Sequence, residues 1–274
     1  MMEKRHTFKY LVLSIGAILM LIPFYWMLAT ALKSESEALQ VPATLYPHGL
    51  HPENFSLAMQ IAPIARYLFN TVLVASIVVI SSTVLSVLSA FAFARLSFPG
   101  KNFLFMLVLG TMMIPQEMLI ITNFMTIAHL KWMNTIQALA LPFCVNAFNI
   151  YLLRQSMLQI PDELYTASKI DGLSDFRYLR KVVLPIVKPT VLTTMITSLI
   201  WIWNTFAWPN LVTTKDELRL VSNGLQNAFT NSVGNIQYEL QMAAATLVTI
   251  PLIIVFICFR KQILTGMSKG GLKG

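Results

Sequence analysis

The sequence predicts an all-α, polytopic membrane fold with about six transmembrane helices. Three observations predict it. Of the 274 residues, 56% are hydrophobic and only 12% are charged, about half the roughly 25% charged fraction of an ordinary soluble domain. The apolar residues gather into six stretches, at about 10–32, 67–94, 103–128, 136–153, 190–211 and 241–259. Each is near the ~20 residues that cross ~30 Å of hydrocarbon at ~1.5 Å per residue. None alternates with a period of two, so in lipid their backbone N–H and C=O groups find partners only within helices. The whole of 1–274 therefore reads as one transmembrane domain.

The first stretch has a basic start, Lys4, Arg5 and Lys9, and Ala29-Thr30-Ala31 imitates a cleavage site. Its apolar run from Leu11 to Leu32 is longer than the roughly 7–15 residues of a signal core, and it carries the bulky block Pro23-Phe24-Tyr25-Trp26, so it is expected to stay as a helix. The segment 33–66 holds Pro42, Pro47, Pro52 and Pro63, which disfavour a long helix; a loop with at most a short helix after Asn54 is expected. On the second stretch Ser82, Ser86, Ala90 and Ala94 recur every four residues. Such a stripe of small side chains lets helix backbones approach closely in lipid. Prolines interrupt the spans at Pro23, Pro115, Pro142, Pro209 and Pro251, each permitting a kink.

Orientation follows from Lys and Arg, which are retained in the cytoplasm near span ends. With the N-terminus inside, fifteen of the twenty basic residues fall in cytoplasmic segments and five, Lys33, Arg66, Lys131, Lys215 and Arg219, fall outside. Both termini are therefore expected to be cytoplasmic, with contacts to membrane lipid. The net charge of +8 reports topology and gives no reason to invoke nucleic acid. Cys144 and Cys258 both lie in spans and offer no disulfide framework. His48 and His51, near Glu53, are the one place to consider a metal, and a solvated proline-rich loop is the reading preferred there; no metal is expected.

Intramembrane charge is sparse, and Glu117, after Pro115-Gln116, is its clearest instance. A carboxylate at depth is costly and marks a candidate functional position. The length of the third span also allows Glu117 to sit near the outer surface or face a wet cavity without touching substrate.

Between the fourth and fifth spans the chain reads IPDELYTASKIDGLSDFRYLRKVVLPIVKP, Ile160 to Pro189. Short connections need only a few polar residues, so this one asks for a further role. Pro161 suits a first helical position, Asp162 and Glu163 favour the dipole in the first turn, and Gly172 ends that helix. A second helix is expected from Ser174, with Phe176, Leu179 and Val183 at helical spacing until Pro185 stops it. Leu164, Ala167 and Ile170 are interleaved with charges of both signs, which suits a docking surface better than a lipid-lying anchor.

These residues resemble the transmembrane permease subunits of ATP-binding cassette importers, in particular the maltose-type carbohydrate-uptake class. The family's loop carries Glu-Ala-Ala, then Asp-Gly, then an apolar residue with Leu-Pro. This sequence matches at Ala167, Ile170, Asp171, Gly172, Phe176, Leu184, Pro185 and Pro189, preceded by Ile160-Pro161. Asn70-Thr71, Phe93-Ala94-Arg95 with Pro99-Gly100, Trp203-Asn204 and the tail from Gly266 to Gly274 extend the likeness over almost the whole chain. There is one departure: Thr166-Ala167-Ser168 stands where the family has Glu-Ala-Ala, removing an acidic group from the contact.

The resemblance implies a bacterial inner-membrane protein forming half of a translocation pathway. Its implied partners are a cytoplasmic ATP-binding cassette ATPase dimer, a second homologous permease and an extracytoplasmic substrate-binding protein. The 160–189 loop would couple to the ATPase, and Gly270, Gly271 and Lys273 in the 260–274 tail would reach the same partner. The chain has no G-x-x-x-x-G-K-[ST] phosphate loop, Gly100-Lys101 being too short a fragment. ATP and Mg would thus belong to the ATPase, and this chain would bind no cofactor and catalyse nothing. For the solute, the fifth span offers Trp201, Trp203, Asn204, Trp208 and Asn210. Aromatic faces stack on sugars and amides bond hydroxyls, yet Trp near a span end also fits an interfacial belt. Glu117, Trp203, Asn204, Trp208 and Asn210 are the candidate pathway residues. An ion-coupled secondary transporter would normally show paired ionisable residues in repeated halves, and the sequence has neither; an importer of a non-sugar solute stays open.

Overall fold

The computed structural model describes residues 2–229 and 236–271, and the elements that recur among them are helices. In chain order they are α1 (Met2–Ala31), α2 (Glu35–Ala38), α3 (Glu53–Ile61), α4 (Ile64–Arg95), α5 (Lys101–Thr111), α6 (Ile120–His129) and α7 (Ile136–Ala140). There follow α8 (Ala147–Leu158), α9 (Asp162–Ile170), α10 (Asp175–Tyr178), α11 (Leu184–Asn204), α12 (Ala207–Val212), α13 (Val221–Ala228) and α14 (Tyr238–Gly271). Among the described residues four helices are long and apolar enough to span a membrane, and up to six spans result if each bent pair counts as one. The expected all-α polytopic class is borne out. Two compact units divide the chain, one drawn from Met1–Leu68 and Asn223–Ile254, the other from Phe69–Ser222 and Val255–Gly274.

In the first unit, α1 continues through Pro23 without a break and leaves its apolar side chains exposed from Tyr10 to Tyr25. Its end is capped by the buried Asn54, whose Nδ2 donates to the carbonyls of Ala31 (3.0 Å) and Lys33 (2.8 Å), groups a helix terminus leaves without partners. The 33–66 segment is more ordered than a loop with one short helix. Ser34 caps α2 by accepting from Glu37 N–H at 3.3 Å, and α3 follows. Glu37 accepts from Thr44 Oγ1 (2.8 Å) and the His48 backbone (3.1 Å) and pairs with His48 Nδ1 (2.8 Å), while His51 turns to Glu53 at 2.7 Å. The two histidines thus go to different carboxylates, and no metal-holding group of three or more His, Cys, Asp or Glu occurs among the described residues. Desolvation opposes ionisation of Glu37, but the bonds from Thr44 and His48 outweigh it and hold the carboxyl below its ordinary range. Gly224 lies against the Tyr67 ring so closely that an added Cβ would overlap it.

In the second unit, Ser82, Ser86 and Ala90 of the small-residue stripe are buried. Ala90 and Ala94 belong to a core with Leu153, Met157, Tyr178 and Val183. A second core joins Val74 and Val78 of α4 to Ile127, Leu139, Ile202 and Trp208. The Asn70-Thr71 pair has a local structural role: Asn70 Nδ2 donates to the carbonyls of Glu217 (2.8 Å) and Arg219 (3.0 Å), and Thr71 Oγ1 accepts from Val221 N–H (2.9 Å).

Three spans differ from their expected form. The third, expected at 103–128, bends by 84° between Thr111 and Gln116, and the fourth, expected at 136–153, bends by 41° between Phe143 and Ala147 and runs on to Leu158. Pro115 and Pro142 sit at these breaks, where each removes a backbone donor. The fifth, expected at 190–211, runs from Asp175 to Asn204, and residues 207–212 form the separate α12. Pro185 does not stop the preceding helix. Leu179–Val183 forms a π turn in which Leu184 N–H reaches the Leu179 carbonyl, five residues back. This wider turn precedes Pro185 and carries α10 into α11 without a break.

Candidate functional site

Two places in the second unit collect polar groups. The first is the 160–185 hairpin. Pro161 is extended and precedes the helix, one residue earlier than expected, and Asp162 takes the first helical position. At the far end Gly172 has φ of +73°, with Leu173 N–H donating to Ser168 O (2.9 Å) and Gly172 N–H to Lys169 O (3.0 Å). This pair of bonds is a Schellman close, which needs the left-handed residue that glycine supplies. Ser174 then caps α10 by accepting from Arg177 N–H at 3.4 Å.

The inner side of the hairpin is tied down. Tyr165 donates to Asp175 (2.7 Å), Lys169 pairs with the same carboxylate (2.7 Å), and the Tyr165 and Tyr178 rings meet edge to face at 5.1 Å. The bond to Asp175 raises the Lys169 ammonium above its ordinary range, while burial, seconded by Asp175, raises the Tyr165 phenol. The outer side is open: Glu163, Leu164, Thr166 and Ala167 are exposed, as are Asp171 and Gly172, while Ile170 is 81% and Phe176 66% exposed. Leu184 packs into the core beneath, so it supports the hairpin without belonging to this outer face. Exposed Pro185 lies at the start of α11.

Arg95, at the end of α4, binds the hairpin to the rest of the unit. Its side chain is 4% exposed and donates to the Met157 carbonyl (2.9 Å), to the Ile160 carbonyl and to Asp162. One guanidinium thus closes the end of α8 and reaches the first residue of α9, a fork geometry that lysine cannot reproduce.

The second place lies where the breaks of the third and fourth spans meet α11. One cavity of about 190 Å³ is lined by Gln116, Phe143, Asn146, Asn149, Ser198 and Trp201, among others. A neighbouring one of about 230 Å³ takes in Gln116, Glu117, Asn123, Trp201 and Trp208. Phe143 stands edge-on to Trp201 (4.8 Å) and to Trp208 (6.0 Å). Trp208 is fixed by its N–H donating to the Ala138 carbonyl at 2.9 Å, whereas Trp201 is 43% exposed. Asn146 caps α8 by accepting from Asn149 N–H (3.0 Å), and Asn149 Nδ2 donates to Ser198 Oγ (3.1 Å). A third cavity follows the same two helices toward the hairpin, lined by Gln155, Ser156, Gln159, Thr190 and Thr193 beside Pro161 and Leu164.

Residues 2–269 match the family described as the binding-protein-dependent transport system inner membrane component. The chain belongs to that family. The permease is 32% identical to the trehalose/maltose transport system permease protein MalG of Thermococcus litoralis, over 99% of both chains. It is 30% identical to the sn-glycerol-3-phosphate transport system permease protein UgpE of Yersinia enterocolitica, over 97% of this chain and 98% of that one. Its fold matches a bacterial ABC transporter involved in importing the acidic polysaccharide alginate, with a TM-score of 0.83 and 21% identity over 94% of this chain and 96% of that chain.

The structure distributes the sequence-based candidates unevenly. Glu117 and Trp208 line the second cavity, whereas Trp203, Asn204 and Asn210 line none of the three. Trp203 is buried, Asn204 turns back to the Ile200 carbonyl (2.8 Å), and Asn210 is exposed on α12. Gln116, Asn146 and Asn149, which were not among the sequence-based candidates, line these cavities beside Trp201. Their signal was present, in the amides at 146 and 149 and the hydroxyls at 190, 193 and 197, spaced along one face of a helix. Gly270 and Gly271 continue α14; Lys273 lies outside the described residues.

Proposed function

We propose that this permease forms one wall of an ATP-driven sugar import pathway, with the cavities along α8 and α11 as its solute-facing surface and the hairpin as its docking site for a separate ATPase. The observation that carries this reading is the hairpin itself. Its outer face presents Leu164, Ala167, Ile170 and Phe176 to solvent, while Arg95 joins its start to α4 and the π turn joins its end to α11. An amphipathic helix offered in this way suits a groove on a partner. A push on α9 would reach the spans through short, packed connections. The excess of Lys and Arg on that side supports a cytoplasmic hairpin, with both termini on the same side. The Gly270 to Lys273 segment would approach the same ATPase.

Two further partners follow. Each of the two cavities at the span breaks is smaller than the ~300–1,000 Å³ of a complete small-molecule site, as expected where a second permease supplies the facing wall. The exposed apolar surface of α1 supports that partner as well as lipid. An extracytoplasmic binding protein would deliver the solute, since the family is binding-protein-dependent. Aromatic faces at Trp201 and Phe143 with amides at Gln116, Asn146 and Asn149 suit a sugar.

The test is reconstitution with the partner permease, ATPase and binding protein. Reversing charge and polarity across Ala167 to Gly172 is expected to leave the complex hydrolysing ATP while uptake is lost. Normal assembly and uptake after that change, or uptake that persists without the ATPase, would overturn the reading.

A further inference from the structure

The relatives carry solutes of opposite character, a neutral disaccharide and a phosphate ester, at nearly the same identity. The relatives' solutes therefore do not decide which one this permease admits. We propose that the polar stripe along α8 and α11 admits uncharged polyhydroxylated solutes and turns away anionic ones, with Glu117 as the charged group that repels them. The inference rests on reading these cavities as the solute path.

The polar groups of the stripe are amides and hydroxyls. Gln116, Asn146, Asn149 and Ser198 stand at one end, and Gln155, Ser156, Gln159 and Thr193 continue toward the hairpin. Such groups both donate and accept, which matches a sugar hydroxyl. A phosphate or carboxylate leaving water needs something different, a cation or a bidentate guanidinium. None of the residues lining the three cavities is Lys, Arg or His.

Lys188, the one basic residue of α11, is exposed and lines none of the three cavities, and the basic side chains of α8, α5 and α4 are engaged elsewhere. Arg154 is the one basic residue of α8, yet its Nε donates to the Phe93 carbonyl (3.1 Å) and its guanidinium lies over the Phe105 ring at 4.0 Å. Lys101 donates to the Leu96 carbonyl (2.9 Å) and Arg95 to its carbonyls at the hairpin. The N-terminus of α8 could favour an anion, but Asn146 already occupies the Asn149 donor there. Among the described residues, the ionisable group that lines these cavities is the exposed carboxyl of Glu117, beside Trp201. An anion against this wall meets like charge and no cation of this chain.

The experiment uses the complete transporter in proteoliposomes, with Cys144 and Cys258 replaced by Ala and Thr197→Cys as reporter. Thiol-labelling rates are measured with cationic, neutral and anionic methanethiosulfonates of similar size, each normalised to its rate with a free thiol. The cation is expected to outpace the anion by about tenfold, and adding Glu117→Lys is expected to erase or invert that ratio. A second reporter, Thr193→Cys, guards against local misfolding at 197. Labelling without charge discrimination, or a ratio indifferent to Glu117→Lys, overturns the proposal and leaves the pathway standing. If neither reporter reacts with any reagent, the pathway reading fails and the proposal falls with it. Uptake of sn-glycerol 3-phosphate by the same complex would also overturn it, whereas uptake of trehalose or maltose in preference would support it.

Discussion

The hairpin and the cavities are built on the same pair of helices, α8 and α11, yet they use opposite chemistry. At the hairpin, charges do the fastening: Arg95 closes the end of α8, and Lys169 and Asp175 pair across the corner. Around the cavities the fastening is by aromatic edges and neutral hydrogen bonds, Phe143 against Trp201 and Trp208, and Asn149 to Ser198. The contrast follows from surroundings. A charge near water or at a helix end is affordable, whereas at membrane depth it is costly unless something pairs with it. On the proposed function, the part that would transmit force is tied by ions, and the part that would let a solute slide past offers many weak, neutral partners.

Removing the Arg95 fork is expected to break this contrast most severely. Arg95→Ala leaves the Met157 and Ile160 carbonyls short of partners, a loss of about 2–3 kcal/mol, visible as a lower unfolding temperature and as ATP hydrolysis uncoupled from uptake. Arg95→Lys should recover only part of both. On the cavity side, Trp201→Ala removes an exposed stacking face, and uptake is expected to fall about tenfold, near the upper range of aromatic contact energies. Unchanged uptake would return Trp201 to packing. Gly172→Ala places a side chain at φ of +73° where space is open, so the cost is backbone strain alone, about 1 kcal/mol. Gly172→Asn should cost less, and equal losses for both would indicate a hidden contact. The smallest effect is expected from Thr166→Glu, an exposed position where stability should stay within about 0.5 kcal/mol. Its signature is a docking affinity for the ATPase that becomes more sensitive to salt.

Some of these features are legible in the sequence. Gly172 reads as a helix end because Asp171-Gly172 follows an amphipathic turn, and the left-handed close requires that residue. The stripe through Ser82, Ser86 and Ala90 reads as a packing face because its period is helical. Pro185 misled, since a proline after an amphipathic run normally stops a helix, and only the π turn at Leu179–Val183 shows how the chain passes it. Trp203 and Asn204 line none of the three cavities, for another reason. A dipeptide places its two side chains about 100° apart on a helix, and which of them faces the cavity depends on where the neighbouring spans lie.

By itself, the sequence determined the membrane class, the small-residue packing face and the corner at Gly172, because each depends on hydrophobic period or on the conformational range of a single residue. The tertiary structure decided how Pro115 and Pro142 act. Pro23 leaves α1 continuous, while those two sit at bends that border the same cavities. It also decided that Arg95 joins α4 to the hairpin and that Trp201 is the ring left open to the cavity. These depend on groups far apart in the chain, Arg95 with Asp162 and Gln116 with Trp201, and no local pattern encodes such a meeting.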